Sequence, residues 1–131
     1  MRIEVSFPGG KMVDASFNGF TVRTDQPAPV GGGTAPAPFD TFLASLATCA
    51  GIYVVSFCQK RGISEEGLKL VQETLRDPDT GALREVQLKI GLPEGFPDKY
   101  RGAIVRAAEQ CAVKRLMDAP PSFTVTVGNQ E

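Results

Sequence analysis

Apolar and polar residues alternate with a period of two from Arg2 to Phe7 and again from Met12 to Phe17, with Pro8-Gly9-Gly10 between the runs. A third short run, Phe20 to Thr24, follows Asn18-Gly19. A period of two places alternate side chains on one face of a strand, and Asn-Gly between two such runs is the strongest short-range hairpin signal. The first quarter of the chain is therefore expected to be an antiparallel sheet. The segment Gln26 to Pro38, with four prolines and three consecutive glycines, suits neither a helix nor a strand interior. It reads as a long loop that either walls a site, touches a second subunit or simply links two elements.

From Phe39 to Arg61 the pattern turns helical, with Pro38 at the start and Gly62 at the expected stop. Nearly every face is apolar, which suits a helix packed on several sides. Its most apolar stretch, Phe42 to Cys58, is slightly short for a membrane span and is interrupted by Ser45, Thr48, Gly51 and Ser56, so it reads as a buried helix. Two further alternating runs, Leu68 to Leu75 and Leu83 to Leu92, flank Asp77-Pro78-Asp79-Thr80-Gly81 and predict a hairpin, with Lys69, Gln72, Arg84, Gln87 and Lys89 on its solvated face. Pro97 to Met117 reads as one amphipathic helix ended by Pro120-Pro121, and Phe123 to Val127 as a last strand. Strands, helix, strands, helix, strand is the order of an α+β fold rather than of a parallel βαβ sheet.

A chain of 131 residues has apolar mass for one ordinary core, so a single domain, 1–131, is expected. Its net charge of −1, with scattered Lys and Arg, gives no electrostatic footprint for nucleic acid or an anionic membrane surface. The N-terminus has no apolar stretch ending in a cleavage site, and the expected location is cytoplasmic. The sequence has no histidine, which removes Ser-His and Cys-His dyads and Cys/His zinc sites; neither a metal nor another cofactor is expected.

Three cysteines remain as candidate chemistry, and without an export signal they are expected as thiols rather than disulfide staples. Cys49 and Cys111 fall in different expected helices, each among small apolar residues: Leu46-Ala47-Thr48-Cys49-Ala50-Gly51 and Ala107-Ala108-Glu109-Gln110-Cys111-Ala112. Small neighbours admit either a partner helix or a small substrate. The plainer reading is that both are buried apolar residues. Cys58, nine positions after Cys49, lies on roughly the opposite face of the same helix and reads as core. There is no CxxC motif, so an active pair would be assembled by folding. Cys49 lies about three turns into its helix, beyond the useful reach of that helix's dipole, and a cation from elsewhere is needed to favour its thiolate.

The string from Gly31-Gly32-Gly33 through Pro38-Phe39-Asp40 to Thr48-Cys49 resembles the signature of the OsmC/Ohr family: a Gly-rich loop, a proline, an acid, then a small-residue helix carrying the first redox cysteine. Ala107 to Val113 is similar to that family's second-cysteine helix, and the similarity spans nearly the whole chain. The resemblance implies antiparallel sheets around two central helices in an intertwined homodimer. It also implies that Cys49 is oxidised by an organic hydroperoxide to a sulfenic acid, that Cys111 resolves it as a disulfide, and that a dithiol restores both thiols.

Two departures from the family pattern stand out. The hydroperoxide reductases carry a Glu directly after the loop proline, where this chain has Phe39, with Asp40 one position later. Their activating Arg comes from an early strand, where Lys11 and Arg23 are the candidates here. The expected function is a thiol-dependent reductase of organic hydroperoxides. The alternative is a non-catalytic dimeric small-ligand-binding or redox-sensing protein of the same fold, with Phe39, Phe42 and Tyr53 as pocket walls.

Overall fold

Asn18 and Gly19 take positive φ angles of 48° and 80°, forming the two-residue turn that joins strands β2 (Met12–Phe17) and β3 (Phe20–Thr24). Strand β1 (Glu4–Gly9) completes a three-stranded antiparallel sheet in the order β1-β2-β3, with Phe17 opposite Phe20 at the tip. The computed structural model describes residues 1–128. It is α+β, with two small antiparallel sheets and three α-helices, and divides into two compact units, Met1–Ser45 and Leu46–Glu131.

In the first unit the sheet leads into the Gly-Pro loop, which is fastened by one buried carboxylate. Asp25 is 2% exposed. It accepts the Gln26 N–H at 2.7 Å on Oδ1, and the Thr34 N–H and hydroxyl at 3.0 and 2.8 Å on Oδ2. The Asp25 N–H in turn donates to the Pro36 carbonyl at 3.2 Å. The amide and hydroxyl donors of Thr34 and Gln26 hold the Asp25 carboxyl below the usual carboxylate range. Gly31 is required here for want of space: a Cβ would lie 2.5 Å from the Gln26 carbonyl oxygen and 2.6 Å from Asp25 Oδ1.

Helix α1 (Pro38–Lys60) begins at the loop's last proline and stops at Gly62, whose φ is 65°. Ile63 and Gly62 donate back to Cys58 and Gln59, the paired bonds of a glycine-terminated helix. Among the described residues α1 alone is long and apolar enough to cross a membrane by length and composition. In the second unit its stripe Ala50, Val54, Phe57 and Cys58 builds a core with Phe96, Ile104 and Ala108, but Ile52 is 58% exposed, so one face of α1 is buried rather than the several expected.

The expected second hairpin is present as β4 (Lys69–Arg76) and β5 (Leu83–Gly91), with Leu70 opposite Ile90 and Gln72 opposite Leu88. Leu70, Leu88 and Ile90 face the core. Gln72 shares that inner face and is half-buried, contrary to its expected place on the solvated side, because strand parity puts it with Leu70 and not with Lys69. Asp77 closes the turn, accepting from Asp79, Thr80 and the Arg84 guanidinium, which bring its carboxyl down to about 2.

Two expected elements differ. Pro97 to Met117 is not one helix but a 3-10 turn, Asp98–Tyr100, followed by α2 (Arg101–Ala108) and α3 (Ala112–Asp118). At the break the bonds tighten: Gln110 and Cys111 donate to Ala107 and Ala108, three residues back, and the extended ψ of 123° at Cys111 redirects the chain. Phe123 to Val127 forms no strand, since it pairs with no other strand among the described residues.

The Asp25 knot gives a direct test. Gly31→Ala is expected to cost about 1–3 kcal/mol, as overpacking against fixed backbone does. Asp25→Asn is expected to lower the melting temperature at pH 7. Because the folded carboxyl sits below its unfolded value of about 3.9, the stabilisation is complete above that value and fades as pH falls through the folded pKa. The difference between Asp25→Asn and wild type in thermal melts therefore shrinks below about pH 4.

Candidate functional site

The break between α2 and α3 makes Cys111 the residue that caps α3, with φ −47° and ψ 123° and its carbonyl accepting the Arg115 N–H at 3.0 Å. The first amides of a helix have no acceptor within it. Here the Val113 and Ala112 N–H groups donate to the sulfur of Cys49, which α1 holds opposite. The Cys111 thiol hydrogen-bonds Cys49 as well, and its alternative acceptor is the Leu46 carbonyl at 3.9 Å. A single S–H serves one of these at a time.

The consequence is a depressed pKa at Cys49. The Val113 N–H contributes most, then the Cys111 thiol and the Ala112 N–H, with the Arg115 charge adding to them and outweighing partial burial. The need for help from outside α1 is thus met by another helix's N-terminal amides and by Arg115. Sequence analysis missed both, because reading α2 and α3 as one helix hides the free amides. Cys58 is the opposite case: it is 0% exposed, and burial followed by the Glu65 charge pushes its thiol up. A half-buried, thiolate-prone cysteine beside a second thiol can be oxidised by two electrons and then condense with its neighbour.

Beside the pair lies a cavity of about 430 Å³, walled by Val86, Leu88 and Ile90 of β5, Leu46 and Ala50 of α1, Val105 and Ala108 of α2, and by Gln72, Glu109, Cys111, Lys114 and Met117. Cys111 lines it; Cys49 does not.

Of the residues singled out from the sequence, the structure brings Cys49 and Cys111 together. Tyr53 is half-buried and is not part of the cavity wall. Lys11, Arg23, Phe39, Asp40 and Phe42 belong to the unit Met1–Ser45. There Lys11 is exposed in the β1–β2 turn, and Arg23 is exposed with its guanidinium 4.0 Å from Asp14. Asp40 is exposed in the first turn of α1, and the Phe39 and Phe42 rings lean on each other with centroids 5.8 Å apart.

A family model described as OsmC-like protein matches residues 31–126. Among solved structures, a Psychrobacter arcticus 273-4 protein named for osmotic stress induction and a detoxification response superimposes with a TM-score of 0.72 at 22% identity, covering 86% of this chain and 85% of that one. An OsmC-like protein from Mycoplasma pneumoniae gives 0.70 at 15% identity, covering 91% and 87%. A Legionella pneumophila protein, named as the organic hydroperoxide resistance protein OsmC and as a predicted redox protein and regulator of sulfide bond formation, gives 0.53 at 21% identity over 89% of each chain. Among curated proteins, none matches the sequence.

Following thiol alkylation against pH, by mass spectrometry of each cysteine peptide, checks the electrostatics. Cys49 is expected to react at lower pH than an ordinary thiol, Cys58 to resist until unfolding, and Arg115→Ala to move the Cys49 profile to higher pH.

Proposed function

Because the chain belongs to the OsmC-like protein family, whose model matches residues 31–126, we propose that it is a thiol-dependent redox enzyme that reduces organic hydroperoxides. The observation that carries this reading is the hydrogen-bonded pair of Cys49 and Cys111, with Cys49 under the free amides of α3. In this scheme the Cys49 thiolate attacks the terminal peroxide oxygen, the O–O bond breaks, and the alkoxide leaves to be protonated as the alcohol. The Cys49 sulfenic acid then condenses with the Cys111 thiol, releasing water and forming a disulfide that a dithiol reduces. Lys11, Arg23 and Asp40 remain candidates for tuning the site, and Phe39, Phe42 and Tyr53 for contacting substrate, on the strength of the family pattern; for Cys49 itself, Arg115 has the better support.

The matched span crosses the boundary between the two units, which supports a single domain, 1–131. The proposed protein is cytoplasmic and homodimeric. Support for the dimer comes from Phe123 to Val127: the run alternates as a strand does, yet Phe123 is 85% and Val125 97% exposed. Exposed β-branched and aromatic residues in that pattern fit a strand completed by a second chain. Sedimentation is expected to give twice the chain mass of 14.0 kDa, and Val125→Pro to shift the protein towards monomer, since proline removes a ladder donor.

Turnover tests the chemistry. Cys49→Ser is expected to abolish consumption of an alkyl hydroperoxide. Cys111→Ser is expected to allow one oxidation and then accumulate Cys49 sulfinic acid. Equal dithiol-driven turnover in wild type and Cys49→Ser would remove the enzyme and leave the ligand-binding reading, for which the 430 Å³ cavity speaks.

A further inference from the structure

Helix α3 is the least buried element of the site. Of its seven residues only Val113 is even half-buried, whereas Ala50, Val54, Phe57 and Cys58 of α1 and Ile104 and Ala108 of α2 lie in the core. Isolated helices shorter than about 12 residues are marginal, so α3 depends on what its first turn holds. That turn holds the sulfur of Cys49, through the Ala112 and Val113 amides. Beyond α3 the chain runs into the exposed Phe123, Val125 and Val127, which pair with no strand among the described residues.

We propose that closing the Cys49–Cys111 disulfide releases α3 and the segment after it, so that the redox state of the pair is displayed on the protein surface. The inference rests on the reading above only in requiring that disulfide. In the thiol form the Cys49 sulfur accepts the two amides, and the Cys111 S–H donates to Cys49 or to the Leu46 carbonyl. The disulfide weakens the first interaction and abolishes the second: a bonded sulfur carries no charge and accepts poorly, and no S–H remains to donate. The Arg115 charge likewise has no thiolate left to face. One chemical step thus takes away the acceptor on which the start of α3 depends.

Packing points the same way. Joining the sulfurs requires one side to move, and the core fixes which side stays. Cys49 is followed by Ala50, which is 3% exposed and belongs to the core, so α1 holds its place. Helix α2 is fixed in the same manner by Ile104 and Ala108, up to the extended turn at Cys111. No described residue after Cys111 is buried. Cys111 is therefore the hinge, and α3 with the segment behind it is the moving part.

The test compares the full chain reduced and oxidised with diamide, which takes two electrons and two protons from the thiols and so does not depend on peroxidase activity. Peptide mapping establishes the Cys49–Cys111 bond, and amide hydrogen exchange and trypsin cleavage are then followed by mass spectrometry. The oxidised chain is expected to exchange the amides of residues 112–118 severalfold faster and to be cut severalfold faster after Lys114 and Arg115, while α1 and β5 stay as protected as before. Cys49→Ser, which cannot close the pair, is expected to show no change on the same treatment. Equal or slower exchange and cleavage in the oxidised chain would overturn the proposal and leave the peroxidase reading intact. Loss of protection throughout α1 and β5 also overturns it, since that is global unfolding rather than a hinge, as does a diamide effect in Cys49→Ser. If the disulfide forms with diamide but not with hydroperoxide, the peroxidase reading falls and the exchange comparison still decides this inference. If neither reagent joins Cys49 to Cys111, both fall.

Discussion

The site depends on one hydrogen-bonding constraint: helix α3 begins with amides that nothing inside it can satisfy, and the sulfur of Cys49 receives them. The extended turn at Cys111 produces those amides and sets the second thiol beside the first. An unbroken helix through Gln110 and Cys111 would spend the Ala112 and Val113 N–H groups on its own carbonyls. The same kink therefore sets the Cys111 thiol beside Cys49 and supplies the amides that favour the Cys49 thiolate. This is how a chain without histidine favours a thiolate: through backbone amides helped by one guanidinium rather than through an imidazole base.

The rest of the second unit holds the two halves of that arrangement in register. The α1 stripe of Ala50, Val54, Phe57 and Cys58 is locked against Phe96, Ile104 and Ala108, so the rotation of α1 that presents Cys49 is fixed by core packing. Phe57 anchors the helix end further, its ring edge-on to Tyr100 at 5.7 Å and 3.6 Å below the Arg61 guanidinium. The hairpin of β4 and β5 supplies Leu70, Leu88 and Ile90 to the core while leaving the space that forms the cavity beside Cys111. Cys58 is spent on packing, which leaves one thiolate-prone cysteine with one thiol neighbour.

Much of this was legible in the sequence where the signal was local. Asn18-Gly19 and the Asp77 to Gly81 turn encode their hairpins, and Gly62 encodes the end of α1, because each depends on the conformational freedom or capping chemistry of a few adjacent residues. Cys49 and Cys111 stand out through their small apolar neighbours and the family pattern. Non-local features were hidden. The kink at Cys111 has no proline or glycine to announce it, so apolar periodicity ran through it and concealed both the α3 amides and the role of Arg115. Gln72 reads as solvated from its polarity, whereas strand parity sets it opposite Leu88 on the inner face. The run Phe123 to Val127 has strand character without a partner strand among the described residues, a question that a single chain's pattern does not answer.

On the proposed reading, folding joins Cys49 and Cys111 into one redox pair, while burial keeps Cys58 inert. The most direct measurement treats the reduced protein with one equivalent of cumene hydroperoxide, blocks the remaining thiols, and maps the cysteine peptides by mass spectrometry. The expected product is a Cys49–Cys111 disulfide, with Cys58 alkylated only after unfolding. Three thiols that stay reduced and alkylate only on unfolding would contradict it and make all three cysteines core residues.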